Sequence, residues 1–336
     1  MILVTGGTGL VGAHLLLHLI QEGETAVRAL FRDAKQIEKT RSLFAWYQKE
    51  SLFDRIDWVV GDITDIPSLE IAFEKVTHVY HCAAQISFNP NDETALRKIN
   101  IEGTANIVNL CIDKNVQKLC HVSSIAALGD PLQNQTVIDE ATEWNPEVLH
   151  SDYALTKYGA EMEVWRGQQE GLQVVIVNPG IILGPYPSNW DARKGSGSLF
   201  TSIKKGLPFY TQGYSAYISV LDVVILMKKI MEAPIHGERF ALVAENRSFK
   251  DIQFTIADKL GVKRPGFEAQ PWMLALGWRM DKLLALFTSR PRKLSRQSAA
   301  SLCSVEQISN EKIKRTFDYT FQPIDPYIDQ IIQAFR

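Results

Sequence analysis

The sequence is poor in cysteine and carries no strong charge of either sign. Its four cysteines form no CxxC pair, and no histidine stands at metal-ligand spacing from them. Three of them fall within apolar stretches typical of strands or helices, so we expect buried free thiols rather than disulfides or a metal site. The formal net charge of −2 gives no electrostatic reason to expect nucleic acid or an anionic membrane as a partner.

The chain also lacks a leader-like segment and a long uninterrupted apolar run. Strand-like sequence begins at Ile2, which leaves no room for a signal peptide, so we expect a reducing, cytoplasmic location. The most apolar stretch, Trp272–Phe287, is too short to span a membrane and contains Arg279, Asp281 and Lys282. It could lie on a membrane surface, but we favour the interpretation that it covers an apolar substrate pocket or packs on the core.

Apolar, β-branched runs alternate with helical segments through the first half of the chain. The runs are Ile2–Val4, Ala26–Phe31, Ile56–Val60, His78–Cys82, Leu119–Val122 and Val174–Val177. In an ordinary globular composition, 46% apolar and 22% charged, this alternation predicts an α/β fold with a doubly wound parallel sheet. Two long helices are also expected, one from Asn91 or Asp92 through Cys111 and one from Ser151 to Gln169.

The segment Thr5–Gly12 places three glycines between the first strand and a helix predicted from Leu10 to Ile20. A pyrophosphate can rest on the free N–H groups at such a helix start, and glycine lets the backbone approach it closely. Because a strand precedes the turn and a helix follows it, a dinucleotide site is favoured over a purely structural turn. The candidate contacts are Gly6, Gly9, Leu10 and Val11.

The alternation of strand and helix ends after Pro179, where a loop rich in proline and glycine follows. We therefore predict a Rossmann dinucleotide-binding domain over residues 1–180 and a smaller, mainly substrate-binding region over residues 181–336. In such folds ligands bind at the carboxyl ends of the strands, so the C-terminal region is expected to supply the substrate side of a cleft there.

Tyr153 and Lys157 are four residues apart on a predicted helix, which puts the phenol and the ammonium on one face. A cation beside the phenol favours the phenolate and would lower the pKa of Tyr153 toward the working range of an acid/base catalyst. Ser123 and Ser124 end the fifth predicted strand, at the edge where ligands bind. These groups suit hydride chemistry at a carbonyl or alcohol, and we favour that over a surface Tyr–Lys pair.

Six segments together resemble the extended short-chain dehydrogenase/reductase superfamily, in its NAD-dependent epimerase/dehydratase-like form. They are Thr5–Gly12 as the glycine turn, Asp62 after the third strand, His81–Ala84 after the fourth, Asn100–Thr104 as N-x-x-G-T, Tyr153–Lys157 as Y-x-x-x-K, and Asn178–Pro185. The match is thinner beyond residue 185. The resemblance implies that Ser124, Tyr153 and Lys157 are the catalytic triad.

The same resemblance implies further contacts with a nicotinamide dinucleotide. They would be Asp62 and Ile63 at the adenine, Ala83 and Ala84 after the fourth strand, Lys157 at the ribose beside Tyr153, and Pro179 and Ile182 at the nicotinamide. Asn100 has a structural or proton-relay role in relatives. Relatives dimerise through the two long helices, so a homodimer is expected.

Departures from the family pattern indicate which branch of the superfamily the sequence resembles most. Ser124 is followed by Ile125 and Ala126 rather than by the Asp-Glu pair of nucleotide-sugar dehydratases, and Asn178 and Ile181 replace the Arg-x-x-Asn stretch of UDP-sugar epimerases. The sequence is closer to the dihydroflavonol reductase and 3β-hydroxysteroid dehydrogenase-like branch, which implies a small apolar ketone or alcohol as substrate. A nucleotide-sugar epimerase with bound NAD and a non-catalytic dinucleotide-sensing protein stay open as alternatives.

Cofactor preference depends on the end of the second strand. An acidic residue there binds the adenosine ribose diol and selects NAD, whereas an arginine accommodates the 2′-phosphate of NADP. Phe31 occupies the acid position and Arg32 follows it, which favours NADP through a charge-assisted contact. Asp33 keeps NAD open as the alternative, because a shift of one residue in the alignment would reverse the assignment.

Overall fold

Strands and helices alternate through the first half of the chain, as the sequence predicts. The structure is a computed structural model that describes residues 1–131, 135–185, 187, 190–191, 195–288 and 294–334. Its strands are β1 Ile2–Thr5, β2 Val27–Phe31, β3 Ile56–Val60, β4 His78–His81, β5 Lys118–Val122, β6 Val137–Ile138, β7 Gln173–Pro179, β8 Ile181–Leu183, β9 Phe209–Tyr210, β10 Tyr214–Ser219, β11 Glu238–Leu242, β12 Glu245–Ser248, β13 Phe267–Glu268 and β14 Gln307–Ile308. Its α-helices are α1 Leu10–Gln21, α2 Ile37–Trp46, α3 Ile66–Ala72, α4 Glu93–Leu96, α5 Gly103–Asp113, α6 Asp152–Gln169, α7 Gly197–Lys204, α8 Val220–Glu232, α9 Phe249–Leu260, α10 Pro271–Thr288, α11 Arg296–Ser301, α12 Glu311–Phe317 and α13 Ile324–Gln333.

The large sheet has seven parallel strands in the order β3-β2-β1-β4-β5-β7-β11. The chain builds outward from β1 in one direction and then returns to add β4 on its other side, so the topological switch point lies between β1 and β4. Because all strands are parallel, Thr5, His81 and Val122 end at one edge, where ligands bind in folds of this kind. The predicted Rossmann-like α/β fold is confirmed.

Helices cover both faces of this sheet. Cys120 and Val175 face the layer that contains α1 and α8, whereas Leu119 and Val174 face the layer that contains α5 and α6. A one-residue slip in strand register would turn each buried side chain to the opposite face, so burial on both sides fixes the register and the position of the strand ends. Cys111 and Cys120 are buried free thiols, as predicted.

One of the two long predicted helices is continuous and the other is interrupted. Ser151 caps α6 where predicted, since its hydroxyl accepts a hydrogen bond from the backbone nitrogen of Ala154 at 3.1 Å. The helix expected from Asn91 or Asp92 is divided into α4 and α5 by a π-helical stretch, Arg97–Glu102. Apolar spacing does not distinguish a π turn from an α-helix over so few residues, so the sequence could not show it.

The chain after Pro179 forms a second, smaller body and also returns to the large sheet. Strands β8, β10 and β12 make a three-stranded sheet, with α9 and α13 packed against it. Strand β11 nevertheless pairs with β7, so residues after 180 complete the large sheet. The predicted division at 180 stays a prediction. In the proline- and glycine-rich loop, residues 186, 188–189 and 192–194 lie outside the described residues.

None of the helices in the described part of the chain has the length and apolarity needed to cross a membrane.

Candidate active site

The glycine turn leaves the start of α1 open to an anion. Gly6 has a φ of +70°, a region that favours glycine, and a Cβ there would lie 2.8 Å from the backbone nitrogen of Ala83. A Cβ on Gly12 would lie 2.2 Å from the carbonyl oxygen of Gly6. Gly9 is the N-cap of α1, no side chain caps this end, and the first turn contains no acidic residue. The turn therefore fits the pyrophosphate of a dinucleotide.

The neighbouring predicted contacts lie along the same edge of the sheet. Leu10 and Val11 open α1 and are half-buried. The backbone nitrogen of Ala83 donates to Thr5 Oγ1 at 3.2 Å, which holds the segment after β4 against the glycine turn. Ala84 follows with its side chain exposed.

Asp62 and Ile63 follow β3 and differ in exposure. Asp62 Oδ1 accepts hydrogen bonds from the backbone nitrogen and the hydroxyl of Thr64, both at 2.9 Å. Partial burial raises the pKa of Asp62, but the Thr64 hydrogen bonds and the nearby Arg32 outweigh it and leave the pKa below its usual value. Ile63 is buried in the core beside Gly103, and its carbonyl oxygen accepts a hydrogen bond from Asn106 Nδ2 at 3.0 Å.

Arg32 and Asp33 have separate surroundings at the end of β2. The exposed Arg32 guanidinium lies 3.6 Å from the Asp62 carboxylate, a surface contact of low energy. The Asp33 carboxylate accepts a hydrogen bond from the backbone nitrogen of Lys35 at 2.9 Å and caps the short turn that follows. Both side chains are exposed: Asp33 is engaged with the backbone that follows it, and Arg32 with Asp62.

Ser124, Tyr153 and Lys157 meet where β5 ends and α6 begins. The Tyr153 phenol lies close enough to the Ser124 side chain to affect its pKa, and Ser124 Oγ accepts a hydrogen bond from the backbone nitrogen of Ala126 at 3.1 Å. Burial raises the pKa of Tyr153, and the Ser124 contact acts in the opposite direction. The expected lowering of this pKa by Lys157 is not found, since burial dominates; the Lys157 ammonium donates to the carbonyl oxygen of Val122 at 2.7 Å.

Lys157 is almost fully buried, and burial lowers its pKa to about 8. The carboxylate of Glu161, one turn further along α6, acts in the opposite direction, as does the Cys82 thiol group to a lesser extent. His81 and His121 are buried beside Lys157, and burial, together with the lysine charge, lowers the pKa of both imidazoles. Because both histidines are neutral near pH 7, Glu161 supplies the main favourable charge for the buried ammonium.

Asn100 connects the segment after β4 to the helix that carries the triad. It lies in the π-helical stretch and is 1% exposed. Its Oδ1 accepts from the backbone nitrogen of Gln85 at 2.8 Å, and its Nδ2 donates to the Gln85 carbonyl at 3.0 Å and to Thr156 Oγ1 at 3.1 Å. Thr156 immediately precedes Lys157, so Asn100 fixes α6 relative to the edge of the sheet.

With this geometry in place, comparison with known proteins identifies the family. The model of the NAD dependent epimerase/dehydratase family matches residues 2–242. The chain belongs to that family. Its members of the extended short-chain dehydrogenase/reductase type are NAD(P)-dependent enzymes, and this chain is an enzyme of that type.

Relatives in the epimerase/dehydratase family include reductases and epimerases. The chain is 31% identical over 289 residues to a Synechocystis sp. protein named "Putative dihydroflavonol 4-reductase", covering 84% of this chain and 79% of that one. It is 26% identical over 276 residues to UDP-glucose 4-epimerase of Vibrio cholerae, covering 80% and 77%. The solved structure of gox2253 superposes with a TM-score of 0.82 at 26% identity, covering 100% of this chain and 98% of that one.

Sequence reasoning did not identify Glu161, which lies at the centre of a buried network behind the triad. Asn178 Nδ2 donates to Glu161 Oε1 at 2.6 Å and to the carbonyl oxygen of Ser124 at 2.9 Å. The guanidinium of Arg239 lies 3.3 Å from the other carboxylate oxygen. Burial raises the pKa of Glu161 against the opposing effect of these donors. Glu161 lies four residues after Lys157, and this helical spacing could have suggested their contact. Arg239 lies 78 residues from Glu161, so no spacing in the sequence indicates that contact.

A cleft of about 320 Å³ opens at the start of α6, where Ser151 and Asp152 line it but Tyr153 does not. The ring of Phe88 lines this cleft and meets the Tyr153 ring edge-on, with 5.7 Å between centroids. The walls combine aromatic and charged side chains: Ser87, Phe88, Glu93, Ser151, Asp152, Trp278, Lys282, Ser295, Arg296 and Gln297. The predicted nicotinamide contacts lie apart from these walls, with Pro179 buried at the end of β7 and Ile182 half-buried in β8.

Proposed function

We propose that this enzyme transfers a hydride between NADP(H) and a small apolar ketone or alcohol, using Ser124, Tyr153 and Lys157. The observation that carries the proposal is the juxtaposition of Tyr153 and Ser124 at the carboxyl ends of the strands, where the Tyr153 ring also meets the Phe88 ring edge-on. Phe88, whose ring meets that of Tyr153, offers an apolar surface beside the phenol, which supports an apolar substrate.

The residues of the chain supply binding and proton transfer. A bound nicotinamide supplies the hydride in reduction and accepts it in oxidation. Tyr153, whose raised pKa keeps it protonated near neutrality, donates its proton to the substrate oxygen as the carbonyl becomes an alcohol. Ser124 donates a hydrogen bond to the same oxygen and stabilises the negative charge that develops there. In the oxidative direction the proton returns to Tyr153.

The glycine turn, Lys157 and Arg32 would hold the cofactor. The uncapped start of α1 would bind the pyrophosphate, Lys157 the ribose, and Arg32 the 2′-phosphate that distinguishes NADP. The local hydrogen bond of Asp33 supports this choice, because one oxygen of that carboxylate is already engaged while the Arg32 side chain is 67% exposed.

Substrate-dependent oxidation of NADPH across a panel of ketones, aldehydes and UDP-sugars tests the function. We expect turnover with apolar ketones or aldehydes and none with UDP-sugars. Interconversion of UDP-sugars by protein that retains NAD through purification would favour the epimerase alternative. Saturable cofactor binding without turnover of any panel member would favour the dinucleotide-sensing alternative.

We also propose that the enzyme is a homodimer through α5 and α6. Met162, on the outer side of α6, is 39% exposed, and Tyr158 and Trp165 are half-buried on the same helix. Light scattering should give twice the chain mass at micromolar concentration, and Met162→Glu should reduce it. A monomer mass for the wild type would contradict this assembly.

A further inference from the structure

Helix α10 exposes an apolar stripe. Trp272, Leu276, Met280 and Leu283 recur at helical spacing and are 68%, 51%, 53% and 57% exposed. No residue from 271 to 284 is buried, although most of them are apolar. Single exposed apolar side chains are ordinary on protein surfaces, but several on one helix face mark an interaction site.

The substrate cleft does not account for this stripe. Trp278 and Lys282 line the cleft, and they lie on the other side of α10. A substrate bound in the cleft would therefore cover those two side chains and leave Leu276 and Met280 in water.

The sequence around α10 is positively charged, whereas the chain as a whole is slightly negative. Residues 271–296 contain six Lys or Arg and one Asp, and the whole chain has a net charge of −2. Arg279 flanks the exposed stripe, with its guanidinium over the Trp278 ring, whereas Lys282 and Arg296 line the cleft. An apolar stripe flanked by Arg279, in a stretch of sequence with an excess of positive charge, complements an anionic lipid surface, where cations meet headgroups and apolar side chains enter the acyl boundary.

A second copy of the chain fits this stripe less well. A two-fold contact through the same face would bring two Arg279 side chains together, and like charges across an interface are unfavourable. A single helix stripe also offers little area, whereas a stable interface buries roughly 800 Å² on each partner.

We propose that α10 lies in the plane of an anionic lipid surface, with Trp272, Leu276 and Met280 among the lipid chains and Arg279 at the headgroups. From the sequence we favoured pocket cover for this stretch, but the structure assigns only one side of the helix to the cleft. Because α10 separates the cleft from the exposed stripe, lipid binding would hold the cleft about one helix diameter, roughly 10–12 Å, from the membrane.

Sedimentation of the full chain with vesicles tests this directly. We expect binding to vesicles of phosphatidylcholine mixed with phosphatidylglycerol, at least about tenfold stronger than to phosphatidylcholine alone. The double variant Leu276→Glu/Met280→Glu should abolish it, and Arg279→Gln should weaken it about fivefold. The matched control Ile71→Glu/Val305→Glu changes two residues that are 61% and 62% exposed elsewhere and should bind like the wild type.

Thermal unfolding and NADPH binding of each variant show whether the fold is retained. Failure of the wild type to sediment with anionic vesicles, or equal sedimentation with both vesicle types, would overturn the proposal. A dimer that Leu276→Glu/Met280→Glu converts to a monomer, without vesicle binding by the wild type, would assign the stripe to a second copy. None of these readouts depends on the reaction that the enzyme catalyses.

Discussion

Helices α1 and α10 differ sharply in how they use apolar side chains. Eight of the twelve residues of α1 are buried under the large sheet, including Leu15, Leu16 and Leu19. Helix α10 is also rich in leucine and tryptophan, yet none of its residues from 271 to 284 is buried. Packing within the chain therefore explains why α1 holds the glycine turn in place, but it does not explain the apolar side chains on α10.

The two helices belong to regions with different roles. The region around α1 and the large sheet positions the chemical groups of the site, whereas α10 presents a surface to a partner. The proposed triad lies where buried strands end, and a buried network, Glu161 with Asn178 and Arg239, supports it from behind. Helix α10 contributes to the cleft wall from one side only. Substitutions in the first part should alter chemistry or stability, whereas substitutions on the outer stripe of α10 should alter neither.

The largest expected effect is on turnover. Tyr153→Phe should lower the rate about 10²–10⁴-fold while NADPH affinity stays nearly unchanged, because the phenol acts on the substrate oxygen. Lys157→Ala should lower both the turnover rate and the affinity for NADPH. Tyr158→Phe, on the same helix, is the matched control and should keep full activity. Retention of more than about a tenth of wild-type turnover by Tyr153→Phe would show that another group moves the proton.

The second largest effect is expected on stability, where truncating a leucine should cost more in α1 than in α10. Leu16 is fully buried, so Leu16→Ala should cost about 2–5 kcal/mol of the free energy of unfolding. Leu276→Ala removes the same atoms from a half-exposed site and should change the free energy of unfolding by less than about 0.5 kcal/mol. Urea denaturation of both variants measures the difference. A loss above about 2 kcal/mol for Leu276→Ala would mean that α10 is packed in solution.

A smaller effect is expected from the buried charge behind the triad. Lys157 has a pKa of about 8, so NADPH binding through its ammonium should weaken as the pH rises above that value. Glu161→Gln keeps an acceptor for Asn178 but removes the negative charge that favours the ammonium, so the alkaline limb should move to lower pH. Glu163→Gln, whose side chain contacts Arg166 near the surface, is the control.

NADPH titrations across pH measure that limb in each variant. If Glu161→Gln and wild type lost affinity at the same pH, the carboxylate would have only a structural role.

The sequence predicted features that depend on neighbouring residues and missed those that depend on distant ones. The glycine turn, the cap at Ser151 and the strands ending at the site follow from local spacing, and they are found where predicted. The contact of Arg239 with Glu161 and the exposure of α10 depend on tertiary packing. The pKa of Tyr153 also depends on tertiary packing. Burial raises it, and the Tyr–Lys spacing in the sequence does not reveal that burial.

The measurement that tests the account most directly is the affinity of the purified chain for NADPH and NADH, because it needs no substrate. A charge-assisted contact from Arg32 to the 2′-phosphate contributes roughly 1.5–3 kcal/mol, so NADPH should bind about ten- to a hundredfold tighter than NADH. Arg32→Ala should remove most of that gap and leave NADH binding nearly unchanged. Equal affinities in the wild type, or a preference for NADH, would contradict the NADP assignment and favour Asp33 as the residue that binds the ribose.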